Sequence, residues 1–282
     1  VFSIIHSMNF ITYIYRLKKR INFVLDSLKK DIKINQPVYS FNFDESYFHL
    51  GDELFFYPSI IWLKQNSYEI HIEGSKLQFF SDKRKSANNL WLVRTDMSVP
   101  NELNFNVWKG NNCISQDIMK NIFSVIGKKY THHDYNKSRE VLINLIKEKA
   151  DNNHDELLND DKYIVVSAEL DSGYWRYSRS YYKTTDRIFE NLNRALPIII
   201  VGSNKKSYLP KNFKLKPHDV DMRGMTTINQ LIALLMNERV IKIYSYDTFV
   251  YHLSCLLGKE TEHYVRGQLN IEKIKKRFIP SF

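Results

Sequence analysis

Apolar positions along the 282-residue chain follow three successive patterns, and each predicts a different kind of element. From Phe10 they recur at Ile14, Leu17, Ile21, Val24 and Leu28, spacings of three and four that stack them on one face of a helix. Pro37 closes that segment. From Val38 short β-like and helix-like runs alternate. Val38–Phe43, Glu69–Glu73 and Leu90–Arg94 are predicted strands. Tyr57–Lys64, with Pro58 in its first turn, is a predicted helix, as are Asp117–Ile126 and Ser138–Lys149. Ala150–Lys162 is polar and acidic without apolar period, and predicts a linker.

The third pattern is the clearest. Tyr163–Ala168 and Ile198–Val201 are continuous apolar runs, as expected of parallel strands buried on both faces. Thr184–Ala195 between them has helical character and completes a β-α-β unit. Gly202-Ser203-Asn204 breaks the chain at a strand's carboxyl end. Thr227, with Gln230 three residues on, predicts a capping box for a helix whose stripe is Ile228, Leu231, Ile232 and Leu235. Val240–Tyr244 then predicts a strand and Thr248–Leu257 a helix. The chain reads as two α/β halves behind a helical extension: residues 1–37, 38–155 and 156–282.

Composition narrows the class. Hydrophobic residues at 43% and charged residues at 26%, with 9 Gly and 7 Pro, exclude collagen-like and wholly disordered chains. Two cysteines, Cys113 and Cys255, supply neither a disulfide framework nor a four-thiolate zinc site, so a cytoplasmic, reducing setting is expected. The net charge of +10 favours anionic partners. Arg16, Lys18, Lys19, Arg20, Lys29, Lys30 and Lys33 concentrate that charge in the extension, against Asp26 and Asp31 alone. Residues 10–30 therefore read either as a surface helix drawn to the anionic inner face of a membrane or as a packed helix with a solvated basic face. No apolar run approaches the ~20 residues of a membrane span. The first ten residues do not read as a signal peptide.

In open α/β sheets ligands collect outside strand carboxyl ends, where helix N-termini present N–H groups. Three loops qualify: His49–Glu53, Gly202–Lys206 and Ser245–Thr248. In the first, Gly51 permits a tight turn, and Asp52 is either a general base or a helix cap. In the third, Asp247, Thr248 and His252 either meet a phosphate or ribose, or form an N-cap followed by a buried histidine.

Three motifs in order resemble the family 9 glycosyltransferases, typified by the lipopolysaccharide heptosyltransferases. Gly51-Asp52-x5-Pro58-x5-Lys64 is similar to the family's opening. Asp221-Met222-Arg223-Gly224-Met225-Thr226 looks like its Asp-Leu-Arg-Gly-Lys-Thr segment. Asp247-Thr248-x3-His252-Leu253 looks like its donor-binding signature. The resemblance implies a GT-B fold, two Rossmann-like domains facing a cleft, and an inverting, metal-independent glycosyl transfer. The nucleotide-sugar donor would lie on the C-terminal domain and the acceptor, a surface glycan or lipid-linked saccharide, on the N-terminal one. Asp52 would inherit the general-base role, with His49 and Gly51 beside the acceptor. Gly202, Ser203, Asp247, Thr248 and His252 would surround the donor. No metal or other cofactor is implied, and the enzyme would serve lipopolysaccharide, lipooligosaccharide or capsule assembly.

Departures from the family pattern are specific. In Ser172-Gly173-Tyr174-Trp175-Arg176-Tyr177-Ser178-Arg179 no Lys stands before the Trp, so Arg176, Arg179 or Lys183 would offset the donor diphosphate, a task that suits a bidentate guanidinium. Phe249 stands where the family has Gly, and Met225 where it has Lys. Asp219-Val220-Asp221 has the letters of a metal-binding Asp-x-Asp but does not follow an apolar strand. His132, His133 and Asp134 read as a solvated loop rather than a metal site. Gly51-Asp52-Glu53-Leu54 also resembles the start of polysaccharide pyruvyltransferases, although Tyr251-His252-Leu253 departs from their Arg-Leu-His element. A non-catalytic nucleic-acid binder fits the charge and the 14% aromatic content, but no recognition motif is present, so nucleic acid is not an expected partner.

Overall fold

The computed structural model describes residues 38–43, 50–80, 89–93, 113–151, 158–167, 179–203, 209–246 and 248–263, with the backbone alone for 89–93 and 179–184. The basic extension, residues 1–37, lies outside them. Two parallel sheets organise the chain. The first has the order β2-β1-β3, from β1 (Val38–Asn42), β2 (Ile70–Glu73) and β3 (Asn89–Val93). Helix α1 (Leu50–Gln65) connects β1 to β2, and α2 (Ile114–Val125) and α3 (His132–Glu148) follow β3.

The second sheet is built from β4 (Tyr163–Ser167), β5 (Ile198–Val201), β6 (Val220–Asp221), β7 (Val240–Ser245) and β8 (Thr261–His263). Their order is β6-β5-β4-β7-β8, every pair parallel. Helices α4 (Arg179–Glu190), α5 (Ile228–Met236) and α6 (Phe249–Leu256) precede β5, β7 and β8 respectively. This is the doubly wound order in which the first strand is central and the chain reverses direction across it. The apolar runs explain the burial. Ile164 and Val166 face one cluster with Ile188 and Phe189 of α4, while Val165 faces another with Val250 and Leu253 of α6.

α1 begins seven residues before the predicted Tyr57 start. Pro58 consequently sits in the helix interior, without an N–H to offer the preceding turn. Burial outweighs that loss: Leu54, Phe55, Phe56, Tyr57, Ile60, Ile61 and Leu63 are all buried, so the helix is apolar around its circumference. Such a helix must be surrounded, and α1 packs against α2, α3 and α6. One apolar cluster therefore runs from Tyr39 and Ile70 of the first sheet, through α1, to Val165 and Ile199 of the second.

His132, His133 and Asp134 form the first turn of α3 instead of a loop. Thr131 caps that turn by accepting from the Asp134 N–H at 3.1 Å. α4 starts and ends about five residues earlier than Thr184–Ala195. The predicted Thr227–Gln230 capping box is formed in both directions, at 3.2 and 2.9 Å. The described ends of the polar connection are tied to the second half: Asp151 N–H donates to the Asn229 carbonyl at 3.2 Å, and Arg239 donates to that of Leu158 at 2.7 Å.

Candidate functional site

Ser167, Val201 and Ser245 end adjacent strands in register, forming the carboxyl edge of the second sheet. The chain leaves β4 toward β5 and β6 on one side and returns to β7 and β8 on the other. The crevice between β4 and β7 is thus the switch point at which such sheets hold ligands.

The loop after β7 is built from buried polar contacts. Ser245 Oγ donates to the Tyr246 carbonyl at 2.9 Å and lies 3.0 Å from Thr248 Oγ1. Tyr246 Oη lies 2.8 Å from Thr185 Oγ1, fastening this loop to α4. Thr248 is the N-cap of α6, but its side chain makes no capping bond to the helix. The Thr248 N–H itself donates to the Tyr246 carbonyl at 2.8 Å. Asp247 lies outside the described residues.

His252 stands one turn into α6 and is only 4% exposed. Its ring meets Phe55 of α1 edge-on at 4.8 Å. Gly51 explains the closeness. A Cβ at that position would come 2.9 Å from His252 Cδ2 and 3.4 Å from both Phe249 N and Cα. Gly51 lies inside α1 and is not among the glycines with positive φ, so its role is close approach rather than the tight turn expected from sequence. The first turn of α1, from one sheet, thereby meets the first turn of α6, from the other.

The two carboxylates of that α1 turn have different surroundings. Asp52 is half-buried. Glu53 is buried, and its carboxylate accepts from Tyr57 Oη at 2.9 Å, Ser75 Oγ at 2.5 Å and the N–H groups of Lys76 and Leu77 at 3.0 and 3.3 Å. Burial first, and the Glu53 charge second, push the Tyr57 phenol well above its ordinary pKa. From the other side Lys149 Nζ donates to the carbonyls of Leu77 and Gln78 at 3.1 and 2.7 Å. The loop after β2 is clamped through its N–H groups by an anion and through its carbonyls by a cation. Sequence reasoning missed Glu53; its one available signal is a carboxylate that opens an apolar run and has Tyr57 four residues on.

The Asp221–Thr226 motif packs onto the same edge. Gly224, at φ 65°, donates its N–H to the Gly202 carbonyl at 2.7 Å. Arg223 grips Asp221 through Nε and Nη2, both at 2.8 Å. Asp219 accepts from Arg194 and the Lys216 N–H at 2.7 Å and from the Ile198 N–H at 3.0 Å. Both aspartates of Asp219-Val220-Asp221 are thus engaged in internal structure. Among the described residues no group of three or more His, Cys, Asp or Glu side chains is placed to hold a metal ion.

Gly202 is half-buried at the end of β5, with Ser203 exposed beside it. Arg179 and Lys183 have their backbone in the first two turns of α4, which follows β4. His49 and Arg176 lie outside the described residues. The structure therefore brings Gly51, Asp52 and the Thr248–His252 turn to one place, and Gly202 and Ser203 to the same sheet edge.

No protein-family model matches the chain, and no curated protein matches it. Among solved structures it is similar to the bacterial iron-containing dodecameric glycosyltransferase TibC from enterotoxigenic E. coli H10407, at 10% identity and a TM-score of 0.47, over 81% of this chain and 57% of that one. A second TibC structure, the dodecameric iron-containing heptosyltransferase in complex with ADP-D-β-D-heptose, gives 10% identity and 0.47 over 82% and 59%. The glycosyl transferase family 9 protein from Veillonella parvula DSM 2008 gives 14% identity and 0.38 over 82% and 81%. This chain thus spans less than two thirds of TibC. These neighbours are glycosyltransferases; this chain itself has a mixed α/β architecture with two parallel sheets.

Proposed function

We propose that the chain is a GT-B glycosyltransferase that moves a sugar from a nucleotide-sugar donor on the second sheet to an acceptor hydroxyl beside the first. The observation that carries this reading is the meeting of the α1 and α6 first turns, at which a Gly51 Cβ would lie 2.9 Å from His252. The arrangement sets a half-buried carboxylate, Asp52, near helix N–H groups not capped by Thr248.

Asp52 takes the proton of the acceptor hydroxyl as its oxygen attacks the anomeric carbon. The bond from that carbon to the nucleoside diphosphate breaks on the opposite face, so the configuration inverts. Negative charge growing on the leaving phosphate meets the positive end of α6, His252 and a basic side chain from Arg176, Arg179 or Lys183. These groups do in this reading what a metal ion does elsewhere, and the transfer is metal-independent. A surface glycan or lipid-linked acceptor, and a peripheral seat on the inner membrane face through residues 10–30, belong to the same reading. No helix among the described residues is long and apolar enough to cross a membrane.

The test is a melting series of the full chain with ADP, UDP, GDP, CMP and their sugar conjugates. Ligand at a hundredfold excess over Kd stabilises the native state by about 2.7 kcal/mol. One nucleotide is expected to raise Tm in both wild type and Asp52→Asn. The variant is expected to lose roughly 10²–10⁴-fold in nucleotide release from the sugar conjugate, the usual worth of a general base. Dialysis against EDTA is expected to leave the wild-type rate unchanged. A chain whose Tm responds to none of these nucleotides is not this enzyme.

A further inference from the structure

The end of the first half that lies away from the candidate site carries a basic turn, and ring contacts trace its place. Tyr39 of β1 meets Tyr68 at 5.5 Å, and Tyr68 stacks on Trp62 of α1 at 5.7 Å. Trp62 meets Phe123 of α2 at 4.3 Å, and Phe123 meets Tyr130 at 6.1 Å. The α2–α3 turn therefore lies at the amino edge of the first sheet, where the chain enters β1 at Val38. The other end of α3 lies at the carboxyl edge, where Lys149 holds the Leu77 and Gln78 carbonyls. The 17 residues of α3, about 25 Å of helix, separate the two.

The turn is fixed in shape and open to its surroundings. Gly127, at φ 68°, closes α2, with its N–H donating to the Ser124 carbonyl at 3.2 Å and the Lys128 N–H to that of Phe123 at 2.7 Å. A Cβ on Gly127 would meet nothing within 4 Å. Lys120, Lys128, Lys129, His133 and Lys137 are exposed around it. From Asp117 to Arg139 the chain holds five Lys and Arg residues against two carboxylates. Both carboxylates are engaged locally, Asp117 by Lys120 at 3.2 Å and Asp134 by Thr131 Oγ1 at 2.5 Å. Among the described residues Lys128, Lys129 and Lys137 form no ion pair. The negative end of α2 accommodates a cation, but the positive start of α3 beside it disfavours one, so helix dipoles do not account for the cluster.

We propose that the α2–α3 turn, through Lys128, Lys129 and Lys137, is a docking surface for an anionic lipid bilayer. Two observations select a bilayer over other polyanions. The chain preceding Val38 holds seven Lys and Arg residues against Asp26 and Asp31, and it joins the fold at this same end. Its apolar positions from Phe10 to Leu28 give that segment the paired apolar and basic character that suits a lipid interface, whereas a nucleic-acid backbone calls for the charge alone. A bilayer at the amino edge leaves the carboxyl edge, with Gly51 and Asp52, clear of the lipid by about the length of α3. The proposal stands on the position and charge of the turn and does not rest on the transferase reading.

The test is flotation of the full chain with vesicles of phosphatidylcholine alone and of phosphatidylcholine with about a third phosphatidylserine. Wild type is expected to float with the anionic vesicles only. Lys128→Gln, Lys129→Gln and Lys137→Gln together are expected to weaken that binding about a hundredfold, at roughly fivefold for each lysine near an anionic surface. The first two alone, expected to weaken it about 25-fold, decide the matter if the triple variant does not fold. A charge-matched control, Lys162→Gln with Lys211→Gln and Lys214→Gln, neutralises three exposed lysines of the second half. It is expected to bind within about twofold of wild type, because charges beyond a Debye length are screened. A wild type that ignores the anionic vesicles overturns the proposal, as does a turn variant that binds them like wild type or a control that loses as much. Capture of a generic oligonucleotide through the same three lysines, with no protein on the vesicles, overturns it in favour of a nucleic-acid surface.

Discussion

Gly51→Ala tests whether the two halves meet as described. Gly51 is the second residue of α1, so in open space alanine would stabilise the chain by at most about 1 kcal/mol. Here the added Cβ would stand 2.9 Å from His252 Cδ2 and 3.4 Å from the Phe249 backbone. The imidazole has little room to retreat, being buried and pressed by the Phe55 ring at 4.8 Å. Overpacking of this kind costs about 1–3 kcal/mol, so the net change is a loss of roughly 0–3 kcal/mol. In a His252→Ala background the clash is gone and the propensity gain returns. Urea denaturation of the wild type, the two single variants and the double variant closes the cycle. A coupling of about 1–3 kcal/mol between positions 51 and 252 is expected. A Gly51→Ala protein stabilised equally in both backgrounds would refute the argument, because the α1 and α6 turns would then not be in contact.

Glu53→Ala removes the acceptor for Tyr57, Ser75 and two backbone N–H groups, and urea denaturation should show a loss of at least about 3 kcal/mol. Asp52→Ala, in the same measurement, should cost under about 1 kcal/mol; equal losses would sink the division of labour between the two carboxylates. Thr227→Ala removes the arm in which Thr227 Oγ1 accepts from the Gln230 N–H, while the Gln230 side chain can still accept from the backbone N–H at position 227. It should cost about 1 kcal/mol, with no change meaning that the helix start is held otherwise. At alkaline pH, burial holds the Tyr57 and Tyr135 phenols well above 10.0, their ordinary value. The unfolded chain ionises there first, so stability is whole below that pH and falls as pH rises above it, by about 3 kcal/mol per unit for the two phenols. Phenolate absorbance with parallel melts checks the sign: a native state in which every tyrosine ionises near pH 10 contradicts it.

Much of the second half was legible because its strands are buried on both faces, and burial from both sides leaves an unbroken apolar run in the sequence. Tyr163–Ser167 and Ile198–Val201 are such runs, and Thr227 with Gln230 is a purely local device that works wherever a helix begins. α1 was misread at its start because Pro58 is a local signal for a helix N-terminus, while the force that places it mid-helix comes from α2, α3 and α6 packed around it. His132 and His133 joined α3 because Thr131 caps the turn before them, a weak signal in a polar stretch.

The sequence by itself determined the alternation of strands and helices, the parallel character of the second sheet and the loops in which polar chemistry is concentrated, since those depend on neighbours within a few residues. The tertiary structure alone decided which carboxylate turns inward. Asp52 and Glu53 are adjacent and chemically alike, but it is Glu53 that is buried and that accepts from Ser75, Lys76 and Leu77 of the loop after β2. It alone set Asp219 and Asp221 against Arg194 and Arg223 within the fold. And it alone brought Gly51 to His252, because contact across two hundred residues of chain depends on how two sheets and their helices pack, which no local pattern records.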